Sequence, residues 1–127
     1  MNINSISNYK AEYAVRVLVH KIDTIQSVLQ WAKTIDKSRT CLSSIIQETY
    51  NLLPKEVLRE VRFEQIIWLM MNDTDAICYS IAMEVGFPSE DALRMFLARH
   101  YDTNFSNLRL KLLTNKLQIE WKWLEVE

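Results

Sequence analysis

Apolar positions recur with a helical period through most of the chain. Between Ala76 and Phe87, Ile77, Ile81, Ala82 and Val85 fall at i, i+4, i+5 and i+8, which predicts a short amphipathic helix. Gly86, the one glycine in 127 residues, closes it. Beyond Pro88, Ser89 is placed as an N-cap, with Glu90 and Asp91 in the first turn, where the positive end of the helix dipole favours acids. Leu93, Phe96 and Leu97 then share one face of a second helix. A helix, a tight turn with glycine where φ > 0 is needed, and a capped helix together make the pattern of a helix-turn-helix.

The same grammar runs through the rest of the chain. Residues 9–22 read as a helix through Ala11, Val15, Leu18 and Ile22, against a competing strand alternation of Tyr13, Val15, Val17 and Val19. Asp23 and Gln26 resemble a capping box that starts a helix at Thr24, whose buried side is Ile25, Val28, Leu29 and Ala32. Asp36 suits a left-handed turn residue, and Ser38 caps a helix over 39–50 facing inward with Leu42, Ile45, Ile46 and Thr49. Asn51 falls where a left-handed C-terminal residue is expected. Pro54 opens a long helix, 54–72, carrying Val57, Leu58, Val61, Ile66 and Leu69. Its other face, with Lys55, Glu56, Arg59, Glu60 and Glu64, reads as solvated. Asn72–Asp75 ends this helix and caps the next. In the tail, Leu117, Ile119, Trp121 and Trp123 alternate with polar residues. Leu113, Leu117, Trp121 and Leu124 also fit a helix face, and β-propensity favours a short strand from about Leu117.

The expected fold is therefore all-α: two helix-turn-helix subdomains joined by a long connector helix, with a short C-terminal strand. The divisions are an N-terminal extension and helix (1–23), a first helix-turn-helix (24–53), the connector (54–72), a second helix-turn-helix (73–112) and the tail (113–127). A hydrophobic content of 49% with 10% aromatics supports a core and excludes disorder. No apolar run reaches membrane-spanning length, and the N-terminus lacks the pattern of a secretory signal, so a cytoplasmic protein is expected. Cys41 and Cys78 lie on apolar helix faces as free thiols, and His20 and His100 lack metal-ligand spacing, so no metal or cofactor is expected.

Nothing in the sequence assembles a catalytic constellation, and an enzyme is not expected. A helix-turn-helix reads the major groove with its second helix. In the first unit the exposed candidates are Arg39, Thr40, Ser43, Ser44 and Gln47; in the second they are Glu90, Asp91, Arg94, Met95 and Arg99. Hydroxyl and amide side chains contact bases or phosphates, and arginine pairs with guanine or phosphate.

These residues carry a resemblance. Over about residues 24–112 the chain resembles the double helix-turn-helix DNA-binding domain of the AraC/XylS transcription regulators. In the second unit, Ile77, Ile81, Ala82, Gly86, Phe87, Ser89, Leu93, Arg94 and Arg109 match the family pattern, and the run GFPSEDALR is close to one of its subgroups. In the first unit Ala32, Ser38, Leu42, Ile46, Pro54, Leu58 and Arg62 align without a gap. The resemblance implies double-stranded DNA as partner, adjacent major-groove segments read by two recognition helices, and contact with RNA polymerase. With only a short segment before the first unit, the chain is similar to stand-alone members lacking an effector domain.

The departures bear on function. Asp36, Asn51 and Asp102 stand where the family usually has glycine, Phe105 replaces a proline and Leu108 a tyrosine. Ser44 and Met95 stand where it often presents arginine to DNA. Over residues 76–112, Arg94, Arg99, Arg109 and Lys111 are cancelled by Glu84, Glu90, Asp91 and Asp102, giving zero, and the whole chain carries −1. Phosphate neutralisation supplies most non-specific DNA affinity, so a neutral surface needs a partner or a dimer to bind well. The competing expectation is a protein–protein adaptor or anti-regulator that keeps the fold with weak or no DNA binding. The apolar tail either folds back on its own domain, pairing with Ile3–Ile6, or joins two copies in a homodimer.

Overall fold

The computed structural model describes residues 3–126. Among them are seven helices and no strand: α1 (Ile3–His20), α2 (Val28–Thr34), α3 (Arg39–Tyr50), α4 (Pro54–Asn72), α5 (Cys78–Glu84), α6 (Glu90–Tyr101) and α7 (Phe105–Leu113). They form two compact units, Met1–Phe63 and Glu64–Glu127, with the division falling inside α4. No described helix is long and apolar enough to cross a membrane.

In the first unit α1 and α2 both pack on α3. Ala11, Val15, Leu18 and Ile22 are buried as expected, but α1 runs from Ile3 to His20 instead of over 9–22, which leaves Ile22 in the turn that follows. The capping box assigned to Asp23 and Gln26 does not form. Residues 21–24 are a turn, in which Thr24 Oγ1 donates to the Lys21 carbonyl at 3.0 Å. α2 starts later, at Val28, because Ser27 makes the better cap: its hydroxyl accepts from Gln30 N–H, and the Gln30 side chain accepts in turn from Gln26 N–H at 2.7 Å.

The inner face of α2 also departs from expectation. Leu29 is exposed, while Trp31 is fully buried and donates its indole N–H to the Ala14 carbonyl at 2.9 Å. A helix of seven residues with apolar groups on several sides does not define a face by period alone. The larger ring, with a hydrogen-bond partner inside, takes the interior.

The two helix-turn-helix corners share one backbone device. After α2, Asp36 adopts φ 59°, its N–H bonds the Lys33 carbonyl, and Lys37 N–H bonds Ala32. After α5, Gly86 adopts φ 86°, its N–H bonds Met83, and Phe87 N–H bonds Ala82. Both are Schellman motifs, in which a left-handed residue lets two N–H groups satisfy the last carbonyls of the helix. Lys37 alone separates the first corner from its N-cap, Ser38, whereas Phe87 and Pro88 intervene before Ser89. Both serine hydroxyls then accept from the third residue on, Cys41 N–H at 3.0 Å and Ala92 N–H at 3.1 Å. Asn51 and Asp102 are also left-handed, at φ 57° and 48°, so every substituted glycine position keeps the glycine-like backbone.

In the second unit α5 packs on α6 over Ile81, Ala82, Val85, Leu93 and Leu97, with Phe87 and Phe96 edge to face at 5.1 Å. Two local expectations fail here. The 72–75 segment does not cap α5: Asp73 instead closes a turn by accepting from Asp75 N–H, and the N-cap position is Ile77, which has no side-chain cap and is 60% exposed.

The C-terminal strand does not form either. Leu117, Ile119 and Trp121 are half-buried and Gln118, Glu120 and Lys122 exposed, so the period-two pattern is real, but no ladder accompanies it. The backbone partner is a side chain. Glu64, expected on a solvated face, is 5% exposed and accepts from the N–H groups of Trp123 and Leu124 at 3.0 Å and Lys122 at 3.2 Å. Residues 122–124 bend, which turns three consecutive backbone donors onto one carboxylate, where an extended strand would have pointed them alternately to opposite sides. Ile3–Ile6, the expected pairing partner, is helical within α1.

Candidate nucleic-acid interface

The second helix of each corner, α3 and α6, carries the candidate residues. On α3, Leu42 and Ile46 point into the core, which turns Arg39, Thr40, Ser44 and Gln47 outward and leaves Ser43 half-exposed. All of these first-unit candidates line one open groove of about 500 Å³. Val28, Leu53, Pro54 and Lys55 complete its wall. Those four were not singled out from sequence, and only Lys55 had a signal, as a cation next to the proline that opens α4.

The groove has two cations, Arg39 and Lys55, a set of hydroxyl and amide groups, and no carboxylate in its lining. The first turn of α3 contains no acid, so the positive end of its dipole is not offset there. Such a surface suits a polyanion with hydrogen-bonding edges.

On α6, burial of Leu93, Phe96 and Leu97 turns Asp91, Arg94, Met95 and Arg99 to solvent, with Glu90 half-buried. The electrostatics differ from those of α3. Arg94 Nη2 lies 2.7 Å from Glu90 Oε1 and its Nη1 lies 3.2 Å from Asp91 Oδ1. Arg94 remains 57% exposed in side-chain terms, so these are surface pairs worth about 0.5 kcal/mol or less each. Arg99 sits in the last turn, at the opposite end of the helix.

The Glu90 carboxylate also acts electrostatically on Cys78 of α5. Burial first, and then the Glu90 carboxylate, push the Cys78 thiol up, while Arg94 and Arg109 pull it partway back. A protonated, buried thiol is packing material and not a nucleophile. Among the described residues no group of His, Cys, Asp or Glu is placed to hold a metal ion.

Arg109, matched in sequence beside Arg94, is directed elsewhere. It donates to the Ala76 carbonyl and lies with its Cζ 4.8 Å from the centre of the Phe105 ring. Arg62 does the equivalent in the first unit, donating to the Ile25 carbonyl at 3.2 Å, and burial lowers its pKa. Both guanidiniums are spent on the interior of their own unit.

Two helix-turn-helix corners, each with a capped and outward-facing second helix, define the chain as a double helix-turn-helix protein. The fold is that of the AraC-type DNA-binding domain. A transcriptional regulator of the AraC-type DNA-binding-domain class from Chromobacterium violaceum superposes with a TM-score of 0.67 at 19% identity, covering 84% of this chain and 95% of that one. A DNA-binding transcriptional dual regulator from Escherichia coli K-12 superposes at 0.64 and 14% identity, covering 80% and 89%. No protein-family profile and no curated protein sequence matches the chain. At these identities the likeness is one of fold.

Proposed function

We propose that this protein is a sequence-specific DNA-binding transcription regulator of the AraC/XylS type. It acts in the bacterial cytoplasm, with α3 as the helix offered to the major groove and α6 as its counterpart in the second unit. The observation that carries the reading is the α3 groove, where Arg39, Thr40, Ser43, Ser44 and Gln47 converge with Lys55 and no acid intervenes. Guanidinium, hydroxyl and amide groups on a capped helix are the set that reads base edges and phosphates in the major groove. Both neighbours in fold are described as DNA-binding or as carrying such a domain, which supports the same assignment. Contact with RNA polymerase follows from the resemblance alone, and no residue is assigned to it.

A second reading has one observation in its favour. The acid-balanced end of α6 suits a protein adaptor that keeps the fold without binding DNA. Titrating the full chain against a random-sequence duplex pool at low salt separates the two. Recovery of an enriched sequence is the expected result. Absence of any shifted complex would leave the adaptor.

A further inference from the structure

The two recognition helices are unequal, and the inequality lies in where their acids sit. The α3 groove presents Arg39 and Lys55 with no carboxylate. The α6 N-terminal turns present Arg94 against Glu90 and Asp91, so one cation against two carboxylates leaves a net −1. In a helix-turn-helix it is the N-terminal part of the second helix that reaches base edges. We propose that the first unit alone anchors the duplex, and that Glu90 and Asp91 withhold Arg94 from it. These two acids are then the specificity-determining residues of the second unit. The inference rests on the DNA-binding reading above.

Magnitudes identify what does the withholding. The ion pairs are exposed, and each is weaker than a bidentate arginine–guanine contact. Duplex DNA would therefore break them readily if they were the only obstacle. Breaking them, however, strands two carboxylates at the helix end closest to the phosphates. Like charges brought together at an interface repel strongly, and the positive end of the α6 dipole is already offset by the same acids. The balance turns against α6 because of the acids left behind.

Geometry also keeps Glu90 in place. It is half-buried and pairs with Arg94 at 2.7 Å, the tighter of the two pairings. Asp91 is the looser partner, with 84% of its side chain exposed and a longer 3.2 Å pairing. Arg39 has no such restraint: Ser38 caps α3, and no acid stands in its first turn.

The test is selection of duplexes from a random pool by the full chain, the Glu90→Gln/Asp91→Asn double variant, and that double variant with Arg94→Ala added. Thermal melts confirm that each variant is folded. The wild type is expected to enrich one block of sequence. The double variant is expected to bind about tenfold more tightly and to enrich a second block of sequence beside the first. Adding Arg94→Ala should remove that second block and keep the first. Arg39→Ala should weaken the first block in every background. Two blocks already present in the wild type would overturn the inference and leave the DNA reading intact. A double variant that binds more tightly with still only one block would overturn it as well. No enrichment by any chain would overturn the DNA reading and this inference with it.

Discussion

Arg62 and Arg109 hold the same place in their two units. Each comes from the helix that follows a recognition helix, and each donates a guanidinium N–H to a carbonyl just ahead of the unit's first corner helix, Ile25 before α2 and Ala76 before α5. The helix after each corner, α4 or α7, is thereby tied to the start of the corner's first helix, α2 or α5. This accounts for two half-buried arginines that align with the AraC/XylS pattern yet are held by backbone carbonyls of their own unit. They set the scaffold on which α3 and α6 are presented.

Replacing Arg109 with alanine should therefore cost stability and not base preference. A part-buried carbonyl losing its charged donor costs roughly 1–3 kcal/mol. Urea denaturation of Arg109→Ala should show that loss, and Arg62→Ala should behave alike. A variant as stable as wild type but changed in the sequence it selects would instead place Arg109 at the DNA surface.

Gly86 has φ 86°, where a side chain beyond Cβ crowds the backbone. Gly86→Val should destabilise by roughly 1–3 kcal/mol, with Gly86→Asn milder because asparagine tolerates left-handed geometry. Equal melting temperatures for the two would contradict the Schellman corner.

Glu64 carries the tail. Glu64→Ala removes the acceptor shared by Lys122, Trp123 and Leu124 N–H, for an expected loss of about 2–3 kcal/mol. Tryptophan emission should shift to the red and trypsin should cut at Lys122 faster than in wild type. Unchanged cleavage would mean that apolar packing alone holds the tail.

Trp31→Phe deletes the indole donor to Ala14 while keeping most of the ring volume. A loss of about 1 kcal/mol is expected, against about 3–5 kcal/mol for Trp31→Ala, measured by equilibrium unfolding. Equal losses would show that ring packing contributes nothing beyond the hydrogen bond, and no loss for Trp31→Phe would show that the bond itself contributes nothing.

Because the tail's backbone donors are occupied by Glu64 of the same chain, the protein is expected to run as a monomer in light scattering. Deleting residues 114–127 should then lower stability without changing the oligomeric state. A dimer that becomes a monomer on deletion would instead place the tail between two chains.

Local chemistry determined both corners before any packing was known. Gly86, Asp36, Asn51 and the caps Ser38 and Ser89 encode their turns through φ preference and side-chain acceptors, each acting within a few residues of itself. The outward faces of α3 and α6 were legible for the same reason: Leu42, Ile46, Leu93, Phe96 and Leu97 are spaced at the helical period, and the remaining positions must face out. What tertiary structure decided were the partners distant in sequence. Trp31 is buried because Ala14 offers it a carbonyl, and Glu64 leaves the solvated face because three backbone donors of the tail arrive above it. The tail's alternating pattern fixed which side chains turn inward but not what its backbone would bond. A period of two specifies a face, whereas a strand also needs a neighbour, and here a carboxylate took that neighbour's place.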